Sequence, residues 1–198
     1  MDKSISRQYF NIRAETWDDT IKNNDPLKLQ ALVDRMQIEP SMTILDVGSG
    51  TGVFLPYLLK KLDGVGKIIS LDYALNMLKK AKQKYLNPMV HYICAEIENT
   101  HLTSSSFDVI LCYSTFPHLH NKHKALSNMN RLLKHGGRVY ICHTANRSEI
   151  NSIHFNIPDL QDHLLPTSSY MHELLKNIGF KMITVEDEPG SYWATAIK

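Results

Sequence analysis

The chain has 198 residues, 43% hydrophobic and 21% charged, enough for one globular domain with a substantial core and too few for two full domains. Its 22 Lys and Arg stand against 20 Asp and Glu, a formal charge of +2, so any basic surface is local and a strongly electrostatic nucleic-acid binder is disfavoured. Three cysteines with no CxxC among them suit neither a disulfide framework nor a structural zinc site, and point to a reducing, cytoplasmic setting.

The opening stretch MDKSISRQYF is polar, and no later run reaches the roughly 18 apolar residues of a membrane span, so neither a signal peptide nor a membrane partner is expected. A helix is predicted from Pro26, with Leu29, Leu32, Val33 and Met36 at i, i+3, i+4 and i+7. Five β-rich runs follow: Thr43 to Val47, Lys67 to Leu71, Val90 to Cys94, Asp108 to Tyr113 and Arg138 to Cys142. Between them lie helical patterns at Val53 to Leu62, Leu75 to Tyr85 and His123 to Lys134, the last read as closed by Gly136-Gly137. Such alternation makes a parallel sheet with right-handed helical crossovers.

Residues 144–167 read as a loop of about two dozen residues, against the usual 2–6 in α/β units, and are expected to cover a substrate. Ser168 to Ile178 reads as a helix stopped by Gly179, and FKMITVED and SYWATAI flank Glu188-Pro189-Gly190-Ser191 as an antiparallel hairpin. No repeat, linker or boundary interrupts the chain, which reads as a single domain over 1–198.

The most informative segment is Ile44-Leu45-Asp46-Val47-Gly48-Ser49-Gly50-Thr51-Gly52, a buried strand running into a glycine-rich turn and then a helix. Glycines let backbone approach a ligand, and the helix N-terminus offers N–H groups to it, which implies a nucleotide-like ligand. A dinucleotide turn needs glycine where Val53 stands, which argues against an NAD-dependent oxidoreductase. Asp46, two positions before the first glycine, suits a ligand carrying an ammonium group better than a pyrophosphate.

With LDVGSGTG, the acid in SLDYALNML, Glu96-Ile97 after the third strand, and SFDVILCYSTFPHL followed by LLKHGGRVYI, the chain resembles the class I S-adenosylmethionine-dependent methyltransferases. The likeness is to their small-molecule, UbiE-like (methyltransferase type 11-like) branch. It implies a Rossmann-like three-layer α/β sandwich with a seven-stranded, mostly parallel sheet and an antiparallel C-terminal hairpin strand. It also implies S-adenosylmethionine as cofactor, leaving as S-adenosylhomocysteine. Asp46, Gly48, Ser49, Gly50 and Gly52 would shape the pocket for its methionine part, and Asp72 with Tyr73 would hold the ribose. Glu96 and Ile97 would meet the adenine, Glu96 standing where the family usually has aspartate, and the backbone at Cys112 would meet the methionine amino group. Tyr9, Phe10, Asn11, Arg13 and Trp17 resemble an aromatic lid, within a helical lid segment over residues 1–40.

Ten histidines are a high share, and His118, His120, His143, His154 and His163 all follow strand ends. His118 or His143 is the expected base and Arg147 an expected holder of an anionic acceptor, with His143 and Arg147 closest to the chemistry because they directly follow the fifth strand. No zinc-type ligand spacing is present, so no metal is expected. Cys94, Cys112 and Cys142 read as small buried hydrophobes. The expected activity is methyl transfer to a nucleophilic atom of a small-molecule acceptor by a monomer or homodimer. The alternatives are a non-catalytic S-adenosylmethionine-binding or regulatory protein and a protein or nucleic-acid methyltransferase, although the NPPY or DPPY signature of amino-methylating nucleic-acid enzymes is absent.

Overall fold

The computed structural model describes residues 3–20 and 25–198, so residues 1–2 and 21–24 of the expected lid lie outside the described residues. Strands β1 (Thr43–Val47), β2 (Lys67–Asp72), β3 (Val90–Cys94), β4 (Phe107–Tyr113), β5 (Leu133–His143), β6 (Lys181–Glu188) and β7 (Ser191–Ile197) form one sheet in the order β3-β2-β1-β4-β5-β7-β6. The first five pair in parallel, and β7 runs antiparallel to both β5 and β6. This is the seven-stranded, mostly parallel sheet that the sequence predicts. The strand order reverses between β1 and β4, and the crevice at their carboxyl ends is where sheets of this kind bind ligands.

Helices cover both faces. On one, α3 (Pro26–Asp34) and α4 (Leu55–Leu62) bury Leu29, Leu32, Val33, Leu55, Leu58 and Leu62 against Ile44, Ile68, Val109 and Leu111. On the other, α6 (Lys122–Leu132) and α8 (Ser168–Ile178) bury Leu126, Met129, Leu132, Met171, Leu174 and Leu175 against Leu45, Val47, Ile110 and Ile141. Each such side chain contributes about 1.5–3 kcal/mol on burial, more than its helix propensity, so the apolar stripe decides where these helices form.

Helices α1 (Lys3–Arg13), α2 (Trp17–Thr20) and α5 (Leu75–Lys84) meet a turn near residue 160 in a third, smaller core. There Tyr9, Phe10 and Ala14 pack on Ala74, Met77 and Leu160. The two segments expected to cover the site, one at the N-terminus and one after β5, therefore share a single apolar cluster.

Two expectations are corrected. Residues 144–167 are not a continuous loop, because α7 (Arg147–Phe155) occupies their first part. Its capping box has the Asn146 side chain accepting the Glu149 N–H while the Glu149 side chain accepts the Asn146 N–H. Gly136-Gly137 does not stop α6 but lies inside β5, where the pairing jumps from Phe107↔Leu133 to Val109↔Arg138. Gly136 sits at φ +77, and the glycines carry a bulge through the strand.

Candidate functional site

The glycine turn after β1 folds back over the end of β2. The N–H groups of Gly48 and Ser49 donate to Leu71 O at 2.7 and 3.1 Å, and that of Gly50 donates to Asp72 Oδ2 at 2.9 Å. Gly48 and Gly50 need φ of +66 and +55 to make this turn. The first N–H groups of the turn are thus consumed by the protein, which fits a ligand other than a pyrophosphate. Thr115, 3.0 Å from Gly48 O through its hydroxyl, braces the turn from the end of β4.

Two carboxyls stand at the neighbouring ends of β1 and β2. Asp46 is buried, its Oδ2 has no hydrogen-bond partner, and burial, with a smaller push from Asp72, raises it to about 7. Asp72 Oδ1 accepts the Ala74 N–H at 2.8 Å, so it holds the turn that leads into α5 as well as tying down Gly50. Burial raises Asp72 to about 6, opposed by these backbone donors. Each of its oxygens retains a lone pair for a further donor.

Asp46, Gly48, Ser49, Gly50, Asp72, Tyr73, Phe10, Trp17 and His118 line one cleft. An adjoining cleft shares Gly48, Asp72, Tyr73 and His118 and extends to Glu96 and Ile97. Phe10 covers this groove edge-on to Tyr73, Trp17 and His118, with ring centroids at 6.1, 5.4 and 5.1 Å. The cover is also fastened by polar contacts: Arg7 to Glu96 at 2.6 Å, Ser6 to the Tyr73 hydroxyl at 3.0 Å, and Thr51 to Asp18 at 2.5 Å. Thr51, Thr115 and Asp18 escaped the sequence reading, since these contacts join residues far apart in the chain.

Other expected residues lie elsewhere. Tyr9 packs on Phe10 and under the Arg13 guanidinium, 3.7 Å from its ring centre, and does not line either cleft. Gly52 is spared a side chain by Leu55 and Tyr85, a packing role. Cys112 is fully buried, and burial pushes its thiol and that of Cys142 up; Cys94 is exposed, contrary to expectation. Arg147 heads α7 with its N–H donating to Asp187 of β6 at 2.8 Å, and its side chain lines neither cleft.

The histidines gather. His118 Nδ1 lies 2.8 Å from His163 Nδ1, and the His118 ring stands 4.8 Å from that of His154. His154 Nδ1 in turn donates to the His163 carbonyl at 2.5 Å. His143 is buried, with neither ring nitrogen hydrogen-bonded, beside Tyr192 and outside both clefts. Burial lowers the affinity of all four for protons, His143 to about 3 and His163 to about 4. Among the described residues, no group of three or more His, Cys, Asp or Glu is placed to hold a metal ion, and no helix is long and apolar enough to cross a membrane.

A groove with two buried acids at adjacent strand ends, an aromatic cover and a slot beside Glu96 suits a ligand with a cationic head, hydroxyls and a flat ring. Comparison with known proteins agrees. The family described as a methyltransferase domain matches residues 45–141. The malonyl-[acyl-carrier protein] O-methyltransferase of Anoxybacillus flavithermus is 33% identical over 116 residues, covering 59% of this chain and 43% of that protein. The chain spans less than half the length of the first curated relatives it matches. Among solved structures, a chain from the complex of the Haloferax volcanii Trm112 methyltransferase activator with a methyltransferase superposes with a TM-score of 0.83 at 16% identity, over 95% of this chain and 96% of that one. A SAM-dependent methyltransferase from Aquifex aeolicus gives 0.70 at 23% identity, over 100% and 98%. At these identities the two structures speak for the fold.

Proposed function

The chain belongs to the class I S-adenosylmethionine-dependent methyltransferase family, and from that premise we propose that it transfers the methyl group of S-adenosylmethionine to a nucleophilic atom of a small-molecule acceptor. The observation that carries this reading is the orphaned Oδ2 of buried Asp46, facing the same cleft as Asp72. A buried carboxylate without a partner is costly, and an ammonium group beside it removes that cost. Asp72 has lone pairs for vicinal hydroxyls, and Glu96 with the Ile97 backbone would hold an adenine edge.

S-adenosylmethionine, when bound, supplies a methyl group activated by its sulfonium. The chain's own work is alignment, water exclusion and proton removal. Phe10, Trp17 and Tyr73 give the cleft an apolar cover. His118 is the one expected base that lines it, and as a half-buried imidazole kept neutral by desolvation it suits removal of the acceptor's proton. The aromatic cover of the cleft and the balanced charge favour a small acceptor over a nucleic acid.

The test uses S-adenosylmethionine labelled in its methyl group, incubated with the small-molecule, RNA and protein fractions of a cell extract. Label entering the small-molecule fraction is the expected result; label in RNA or protein would overturn the acceptor class. Calorimetric binding of S-adenosylhomocysteine with no transfer to any fraction would instead mark a non-catalytic binding protein.

A further inference from the structure

We propose that His118 and His163 work as a proton-sharing pair, in which His163 is a positioning residue that leaves His118 Nε2 bare toward an acceptor that arrives protonated. This rests on the methyltransferase reading and extends it to the acceptor's protonation state, a hydroxyl, amine or carbon acid.

The geometry carries it. At 2.8 Å, Nδ1 to Nδ1, the two rings hold one hydrogen between them. With that hydrogen on His118, its Nε2 is a lone pair at the cleft wall; with it on His163, neutral His118 must carry its proton at Nε2 and cannot act as a base. His163 lies at the outer end of the cluster, its ring 6.3 Å from exposed His120. His163 keeps 5% of its surface exposed, and we assign its own proton to Nε2, which leaves its Nδ1 as the acceptor for His118. The donation from His154 Nδ1 to the His163 carbonyl fixes the segment that presents the ring.

The basic groups facing the pair are His154 of α7, His143 of β5, Lys122 of α6 and His120, α1 contributes the Phe10 ring, and the acids of the clefts that His118 lines are Asp46, Asp72, Glu96 and Glu98. The basic neighbours and burial oppose a positive charge on His118, so a captured proton has reason to move on. As the acceptor's lone pair forms its bond to carbon and the carbon–sulfur bond breaks, the acceptor proton goes to His118 Nε2. The Nδ1 proton of His118 then passes to His163 Nδ1, and His163 releases its Nε2 proton to water. Once the product has left, water reprotonates His163 at Nε2, the Nδ1 proton returns to His118, and His118 gives its Nε2 proton to water, which restores the starting tautomers. One proton leaves per methyl transferred, and the sulfonium ends as a neutral thioether.

Ring-nitrogen NMR of the protein loaded with S-adenosylhomocysteine reads the tautomer directly. His118 is expected with its proton on Nδ1, moving to Nε2 in His163→Phe; a proton on Nε2 in the parent protein overturns the proposal. In the labelled-extract assay, His163→Phe should lower kcat by about tenfold or more with little change in KM for S-adenosylmethionine, partly restored by added imidazole. An unchanged kcat overturns it too. His163→Leu, which likewise offers His118 no acceptor, serves as a second variant should the phenylalanine not fold, with the same two readouts. Calorimetry with S-adenosylhomocysteine separates the two levels: loss of binding in the parent sinks the functional reading, whereas binding with the wrong tautomer sinks only the pair.

Discussion

Arg7 on α1 donates to Glu96 Oε1 at 2.6 Å, so the helix that covers the cleft is fastened to a carboxylate of the cleft wall. The Arg7 side chain is 46% exposed, and an ion pair of that kind contributes about 0–1 kcal/mol to folding. Its effect belongs to access. In Arg7→Ala, association and dissociation of S-adenosylhomocysteine should both quicken by about three- to tenfold, with thermal stability nearly unchanged. Stopped-flow fluorescence of Trp17, which lines the cleft, is the measurement, and unchanged rates would show that the contact does not gate entry.

Gly48 and Gly50 should answer alanine substitution differently. A Cβ on Gly48 would overlap the Thr115 side chain, which is itself held to Gly48 O, whereas a Cβ on Gly50 meets no protein atom within 4 Å. Both positions carry positive φ, which costs about 1–2 kcal/mol for a residue with a side chain. Gly48→Ala should therefore lose about 2 kcal/mol or more of folding stability. Gly50→Ala should lose only the strain, but its methyl adds bulk to the cleft wall, and S-adenosylhomocysteine affinity should fall about tenfold or more. Denaturant melts paired with calorimetry separate the two.

Periodicity made the sheet legible, because Ile44, Leu45, Ile68, Val109 and Ile110 sit in short β-branched or leucine-rich runs bounded by turns. The glycine turn and its two acids were legible because only backbone that bends to positive φ beside a buried carboxyl calls for that spacing. Helix α7 was legible in principle through Asn146 and Glu149, a capping pair three residues apart, but its weak apolar pattern hid it. The brace from Thr115 and the meeting of His118 with His163 were not legible, since they depend on where segments 45 residues or more apart are brought by packing.

Cofactor affinity should rise with pH. In the ligand-free protein Asp46 holds its proton up to about 7 and Asp72 up to about 6, whereas an ammonium group and ribose hydroxyls are best met by the carboxylates. Binding must therefore expel protons below these values. Affinity should fall about tenfold per pH unit just below 7 and more steeply below 6. Calorimetry in two buffers of different ionisation enthalpy should detect proton release near pH 6.5. Asp46→Asn should weaken binding and flatten the upper part of the profile; a profile flat in the parent protein would remove Asp46 from the ammonium site.

Folding stability takes opposing contributions from two sets of desolvated groups. The folded-state pKa of Asp46 and Asp72 is raised, so their contribution is present below the unfolded value near 4 and is lost as pH rises through 6 to 7. The folded-state pKa of His118, His143, His154 and His163 is lowered, so their contribution is present above the unfolded value near 6.5 and is lost as pH falls toward 4 and 3. Between about pH 6 and 4.5 the unfolded chain gains protons on the imidazoles, and the folded chain keeps them on two carboxyls. The unfolded chain comes out ahead by about one to two protons, a loss of about 1–3 kcal/mol per pH unit. Against a usual total of about 5–15 kcal/mol, the ligand-free protein should unfold in mild acid, with a midpoint near pH 4–5 followed by circular dichroism. His143→Leu removes one buried unpaired imidazole outside both clefts, so it should move that midpoint to lower pH and leave S-adenosylhomocysteine affinity unchanged. A midpoint unmoved by the substitution would mean that the buried histidines do not set the acid limit.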